Sequence, residues 1–179
     1  MPNWCECDLE ITYEGENTEE GIKEINRFQE YAKTGNNVLD TEKFFPYPER
    51  FKKLDEEAEK EYERIRALPE EERKNAPRPK DGFNQGGYEW CINNWGTKWG
   101  ICHADLVFTD YKSGVLTYSF DSAWSPPEPV IEKMAKMFPS LRFCLRYFEG
   151  GAGFNGIFVC ENGEITNAQS GDYFGNRGG

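Results

Sequence analysis

The chain has 179 residues, of which 32 are acidic and 21 basic, giving a formal net charge of −11 at pH 7. This balance opposes direct binding to nucleic acid or to an anionic membrane, because both need clustered lysine and arginine. Aromatic residues make up 15% of the chain, and no apolar run approaches the roughly 20 residues of a membrane span. The composition predicts one domain with an aromatic core.

The first half of the chain predicts a strand, a helix and a charged insertion. Residues 3–13 alternate between apolar and mostly acidic side chains, which is typical of a half-buried strand. Asn17, with Glu20 three residues later, predicts a capped helix. Prolines in the aromatic stretch 44–48 favour a loop against the core. Residues 51–81 combine a charged helix with a proline-rich polar loop, which we interpret as an insertion.

The second half predicts a helix, a hairpin, a second helix and further strands. The first helix covers Tyr88–Trp95, and Gly96 ends it. Ser125-Pro126-Pro127-Glu128 is typical of a helix start capped by the serine hydroxyl. The predicted strands are residues 103–109 and 115–121, joined by a turn at Asp110–Gly114, then 141–148 and 157–160, with a turn at Asn162-Gly163 into 164–166.

The element order predicts an α+β fold. The predicted order of elements, β-α-(insertion)-β-β-α-β, fits a ferredoxin-like βαββαβ two-layer core. A C-terminal β-hairpin follows this core, and we expect the whole chain, residues 1–179, to form one domain. The first and last core strands are then neighbours. On the open face of the sheet this places Glu6, Asp8 and Glu10 opposite Arg142 and Arg146.

The cysteines and glycines give little support to a metal or cofactor site. The N-terminus lacks the features of a signal peptide, so we interpret the six cysteines as buried thiols in a reducing cytosol. Cys5 and Cys7 share one side of a strand, but no second close pair completes a zinc site. The glycine pattern at 151–156 resembles a dinucleotide-binding loop, but a strand is predicted after it instead of the helix such a loop needs. No metal and no cofactor are predicted.

The candidate binding residues gather around the tryptophans. Trp90, Trp95, Trp99 and Trp124 fall within residues 90–127. Lys98, together with Trp95, Trp99 and Trp124, would form an aromatic-plus-cation pocket for a stacked or anionic ligand. The alternative is that these indoles only fill the core.

One side chain is a candidate for acid–base chemistry. His103 is the single histidine, and the alternation places it on the open face with Asp105 and Asp121. The same alternation places Cys102 on the opposite side, which disfavours a Cys–His nucleophile pair. His103 is kept as a candidate ligand-binding residue, and no catalytic residue is assigned. The acidic open face also argues against stacking of single-stranded RNA.

Four motifs resemble a known family. They are MPNWCE at 1–6, NWGTKW at 94–99, SAWSPP at 122–127 and GAGFNG at 151–156. Together they resemble the YubB-like, ferredoxin-like family of small phage- and plasmid-borne proteins of unknown function. Cys7 stands where that family's opening motif has asparagine. The resemblance implies a ferredoxin-like core and a mobile-element origin, and it carries over no catalytic residue.

We therefore expect a non-enzymatic accessory protein of a phage or plasmid, located in the host cytoplasm and acting by binding. The expected partner is a host protein, in particular a host-defence component. Two alternatives stay open. One is binding of a nucleotide-like small molecule at the tryptophans, and the other is an enzyme that uses His103 with a nearby carboxylate. The sequence assigns no oligomeric state.

Overall fold

A computed structural model describes residues 3–16 and 18–172. The elements, in chain order, are β1 (Trp4–Tyr13), α1 (Thr18–Ala32), α2 (Thr41–Phe44), α3 (Glu49–Arg66), α4 (Glu70–Asn75), a 3₁₀ turn (Phe83–Gln85), α5 (Gly87–Trp95), β2 (Ile101–Asp110), β3 (Val115–Ala123), α6 (Glu128–Met137), β4 (Leu141–Glu149), β5 (Phe154–Glu161) and β6 (Glu164–Asp172). Asn17, the predicted helix cap, lies outside the described residues. No helix in the described ranges is long and apolar enough to cross a membrane.

The sheet has six strands in the order β2-β3-β1-β4-β5-β6, and every neighbouring pair is antiparallel. The first four strands have the ferredoxin-like arrangement, with β1 between β3 and β4. Alternate residues of β1 are buried, as the period of two in its sequence predicted. The predicted α+β, ferredoxin-like class with a C-terminal hairpin is confirmed.

Aromatic rings build the core between the sheet and helices α1 and α6. Phe28 of α1 is fully buried, and its ring lies 5.1 Å from that of Phe138 and 5.5 Å from that of Phe143. Phe44 and Tyr118 complete the contacts of this ring, at 5.9 and 6.3 Å. Such ring pairs contribute about 0.5–1.5 kcal/mol each beyond the area they bury. All six cysteines are free thiols, and five of them are buried.

The insertion returns to the body of the protein. Phe51 and Ala58 of α3 are buried. The Asp55 carboxylate accepts a hydrogen bond of 3.0 Å from the backbone N–H of Phe83, which ties the far end of the insertion to α3. The predicted loop after α3 contains the short helix α4, whose first turn is acidic and whose last turn is basic. This charge order favours a helix because it opposes the helix dipole.

Two other local predictions are wrong. The stretch around Phe44 is not only a loop, because Asp40 caps the one-turn helix α2 by accepting a hydrogen bond of 3.0 Å from the Glu42 N–H. Ser125 does not cap α6; Pro127 occupies the cap position and makes no side-chain cap bond.

The charged open face differs in register from the prediction. Asp8 lies opposite Arg146, as expected, but Arg142 lies opposite Thr12, at the end of β1. The Arg142 guanidinium pairs with Glu161 at 2.8 Å and with Glu14 at 3.6 Å. The predicted pairing of Arg142 with the acidic residues inside β1 is therefore wrong.

Strand β2 departs from simple alternation. Its register against β3 shifts between Cys102 and Asp105, and again between Leu106 and Phe108. An extra residue at such a bulge reverses the side that the following side chains face. Val107 and Phe108 are consequently both exposed, although alternation predicted that only one of them would be.

Gly156 and Gly171 give a matched test of packing in the C-terminal hairpin. A Cβ at Gly156 would lie within 3 Å of the Tyr147 hydroxyl and of the Gln169 carbonyl oxygen, whereas a Cβ at Gly171 would meet nothing within 4 Å. We expect Gly156→Ala to lower the free energy of unfolding by about 1–3 kcal/mol through overpacking. Gly171→Ala should have little effect or a small stabilising one. Urea unfolding measures both, and equal stabilities would contradict the prediction.

Candidate functional site

The motif NWGTKW forms a turn that presents two side chains to the surface. Gly96 ends α5 with a φ of 75°, and Gly100 follows with a φ of 72°. Between them, the fully buried Thr97 hydroxyl donates a hydrogen bond of 2.8 Å to the Ala123 carbonyl oxygen. Because Thr97 faces inward, Lys98 and Trp99 are left on the outside of the turn.

The motif SAWSPP is tied to this turn and to the N-terminus. The Ser125 hydroxyl donates to the Gly96 carbonyl oxygen at 2.6 Å, which is the role it takes instead of capping α6. The backbone N–H of Trp124 donates to the Asn3 carbonyl oxygen at 3.0 Å. Three segments that are distant in sequence are thus joined at one end of the sheet.

Lys98 lies among aromatic rings. Its ammonium nitrogen is 4.5 Å from the centre of the Trp99 ring, 4.8 Å from that of Trp124 and 5.8 Å from that of Phe83. Trp99 is 41% exposed and Trp124 45% exposed. The cation therefore contacts two solvent-exposed indoles, and each such contact contributes about 0.5–1 kcal/mol at an exposed site.

Trp4 and His103 extend this group of rings. The Trp4 ring lies 6.1 Å from that of Trp99 and 5.1 Å from that of His103. His103 Nδ1 lies 2.9 Å from Asp121 Oδ2, which orients the imidazole. We call Trp4, Lys98, Trp99, His103 and Trp124 the aromatic surface.

Two members of the aromatic surface have strained backbones. Among the described non-glycine residues, only Trp124 (φ 71°), His103 (φ 51°) and Asn162 (φ 53°) lie in the left-handed region. Asn162 occupies a hairpin turn, where this conformation is common. A bulky tryptophan there is unusual, and such strain is concentrated at functional sites. The fold holds Trp124 outward at an energetic cost.

A pocket of about 190 Å³ adjoins Lys98. It is lined by Tyr47, Asp55, Phe83, Cys91, Trp95, Lys98 and Trp99. The insertion therefore forms part of the wall, through Asp55.

Two side chains in the pocket wall have raised pKa values. The Tyr47 hydroxyl is buried and makes no hydrogen bond of good geometry within the described chain. Burial, and then the nearby Asp55 carboxylate, raise the pKa of Tyr47. Burial raises the pKa of the Cys91 thiol to about 11, so this thiol is protonated at neutral pH.

The tryptophans named from the sequence separate into two groups. Trp95 is 6% exposed, and its indole N–H donates to the Phe45 carbonyl oxygen at 2.9 Å, so it belongs mainly to the core and reaches only the pocket wall. Trp99 and Trp124 lie on the aromatic surface with Lys98 and His103. Sequence reasoning missed Trp4, Tyr47 and Phe83 at this site. Two signals for Trp4 were available in the sequence: the opening motif that contains it, and the alternation of residues 3–13, which places it on the same face as the acidic residues.

The residues around His103 do not form an activated nucleophile. The register places Cys102 opposite Asp121, on the open face, so the prediction that Cys102 points to the other side is wrong. The bulge after Cys102 is the reason. Burial, and then the Asp121 carboxylate, raise the pKa of the Cys102 thiol, which disfavours the thiolate a nucleophile needs. Within residues 3–16 and 18–172, no three His, Cys, Asp or Glu side chains gather as potential metal ligands.

A family model supports the ferredoxin-like fold for the C-terminal part of the chain. Residues 95–176 match the family model described as the ferredoxin-like domain in Api92-like protein. A crystal structure of the protein Api92 from Yersinia pseudotuberculosis aligns with 98% of this chain and 99% of its own, at 11% identity and a TM-score of 0.49. No curated protein sequence is significantly similar to the chain.

The strain at Trp124 predicts an unusual order of stabilities. Alanine in the left-handed region costs about 1–2 kcal/mol, whereas glycine adopts it freely. We therefore expect Trp124→Gly to have a higher free energy of unfolding than Trp124→Ala, by about 1 kcal/mol. At Trp99, whose φ is outside that region, the order should be reversed, because glycine gains more entropy on unfolding. Denaturant unfolding of the four variants measures this. Alanine being better at both positions would contradict a strained Trp124.

Proposed function

We propose that this chain is a non-enzymatic accessory protein of a phage or plasmid that acts in the host cytoplasm by binding a host protein through the aromatic surface. The observation that carries the proposal is Trp124, a large apolar side chain held almost half exposed on a left-handed backbone. A core residue gains nothing from this conformation. A recognition residue gains a fixed outward position.

The chemistry of the aromatic surface suits a protein interface. Tryptophan is enriched among the residues that dominate binding energy, and loss of one such residue typically costs 2 kcal/mol or more. Trp99 and Trp124 are held by Lys98, and His103 is held by Asp121. Side chains that are already ordered lose less entropy on binding. This favours a preformed contact site.

Charge and resemblance indicate the class of partner. The formal net charge of −11 would speed association with a partner whose interface is bordered by basic residues. The mobile-element origin implied by the sequence motifs makes a host-defence component the partner we propose. The lack of an activated nucleophile or metal cluster in the described part of the chain is compatible with a binding role.

Affinity capture from host lysate tests the proposal. The wild-type chain should recover a defence component, and purified partner should bind Trp99→Ala and Trp124→Gly about 30-fold more weakly each, which corresponds to about 2 kcal/mol. Phe108→Ala is the matched control, since it removes an exposed ring near the other end of β2. A partner that binds all four proteins equally would contradict the role of the aromatic surface. Recovery of no specific partner would contradict the binding function itself.

The pocket beside Lys98 favours a second candidate, binding of a nucleotide-like small molecule. Trp99 offers a stacking face, and the Tyr47 hydroxyl, the Asp55 carboxylate and the Lys98 ammonium offer polar contacts. A buried hydroxyl without a good hydrogen bond is costly unless a ligand or water supplies one.

Nucleotide binding is tested by thermal and fluorescence titration. At about 100 times its dissociation constant, a ligand selective for the folded chain should add about 2.7 kcal/mol of stability. Tyr47→Phe should lower the affinity for the nucleotide, because it removes a hydroxyl that can hydrogen-bond to the ligand. Tyr111→Phe, which lies outside the pocket, should leave the affinity unchanged. If no nucleotide stabilises the wild-type chain, this candidate is ruled out.

A further inference from the structure

A second pocket, of about 480 Å³, lies where three sequence motifs meet. Gly96 comes from NWGTKW, Ser125 and Pro126 come from SAWSPP, and Phe154 comes from the glycine-rich motif at 151–156. No member of the aromatic surface lines this pocket. Its volume lies within the roughly 300–1,000 Å³ typical of small-ligand sites.

Glu128 supplies the negative charge in the wall of this pocket. It is the first residue of α6, and its Oε1 accepts a hydrogen bond of 3.1 Å from the Tyr147 hydroxyl. Tyr147 is 3% exposed, so the hydrogen bond to the carboxylate comes from a buried and uncharged side chain. Burial raises the pKa of Glu128, and the bond from Tyr147 offsets this only in part. None of the residues described as lining the pocket is basic. A partly buried carboxylate with no basic residue among the described lining of its pocket favours binding of a cation.

The remaining walls suit the carbon chain that carries such a cation. Pro126, Pro129 and Phe154 provide apolar surface, and the Phe154 ring meets that of Tyr147 edge to face at 6.1 Å. Ring faces attract ammonium and guanidinium groups, and alkyl stems pack on apolar walls. A Cβ at Gly156 would collide with the Tyr147 hydroxyl, so a glycine there preserves the support of Glu128.

We propose that this pocket binds an organic cation, an ammonium or guanidinium group on a short carbon chain, with Glu128 as its counter-ion. The overall negative charge attracts such ligands to the surface. An anionic ligand would be repelled by the Glu128 carboxylate. The site goes beyond the function proposed above and does not depend on the aromatic surface.

Titration of the ¹⁵N-labelled full chain with ethylguanidinium chloride, followed by amide NMR shifts at constant ionic strength, tests the site. We expect saturable shifts confined to residues around Gly96, Ser125 and Glu128. Glu128→Gln keeps an acceptor for Tyr147 but removes the charge, and it should weaken binding by at least about tenfold. Glu132→Gln, which removes a carboxylate one turn further along α6, should bind like the wild type. Trp99→Ala should also bind normally, which separates this site from the aromatic surface.

Capped pentapeptides identify the source of the cation. If Gly-Gly-Arg-Gly-Gly binds at least as tightly as ethylguanidinium, and Gly-Gly-Gln-Gly-Gly does not bind, the natural ligand is a basic side chain of a polypeptide. If only the small cation binds, the natural ligand is a free amine or guanidine. Shifts that never saturate, or equal binding by wild type and Glu128→Gln, would overturn the proposal. Glutamine has nearly the same size as glutamate and still accepts the hydrogen bond from Tyr147, so the Glu128→Gln variant should fold.

Discussion

The buried hydrogen bond from Thr97 to the Ala123 carbonyl oxygen is the constraint on which the surface of this protein depends. It joins the turn after α5 to the end of β3, and the bond from Ser125 to Gly96 closes the same junction from the other side. Each bond contributes about 0.5–1.5 kcal/mol net, but leaving a buried partner unpaired costs about 1–3 kcal/mol. Their larger effect is geometric. They bring Trp99 and Trp124, which are 25 positions apart, into contact with the ammonium group of one lysine.

Local pattern predicted the fold well where a single face of an element is buried. The alternation in β1 is strong, and the order of elements then leaves few ways to build the sheet. The prediction failed where tertiary contacts override local pattern. The bulges in β2 cannot be read from alternation, so Cys102 and Phe108 were placed on the wrong sides. Ser125 has the sequence of a helix cap, but the Gly96 carbonyl oxygen competes for its hydroxyl.

The candidate site was predicted in part. The sequence left two interpretations of the tryptophans open, core or surface, and the structure distributes the residues between them. Trp95 lies in a helix and can bury its ring while its N–H finds a carbonyl. Trp99 and Trp124 lie in turns, where side-chain direction depends on backbone angles that no periodicity encodes. Asp55 and Tyr47 could not be assigned to the pocket, because only the return of the insertion onto the body brings them there.

The bulges in β2 also bear on how the chain avoids association with itself. Strand β2 is one edge of the sheet, and edge strands offer unpaired backbone groups to which another chain can add. An edge strand with exposed Val107 and Phe108 would be a strong template for such growth if its backbone groups kept a regular spacing. Two register shifts interrupt the spacing of those backbone groups and twist the edge, which blocks addition of a straight strand. The irregularity beside His103 therefore also protects a protein with several exposed rings against edge-to-edge aggregation.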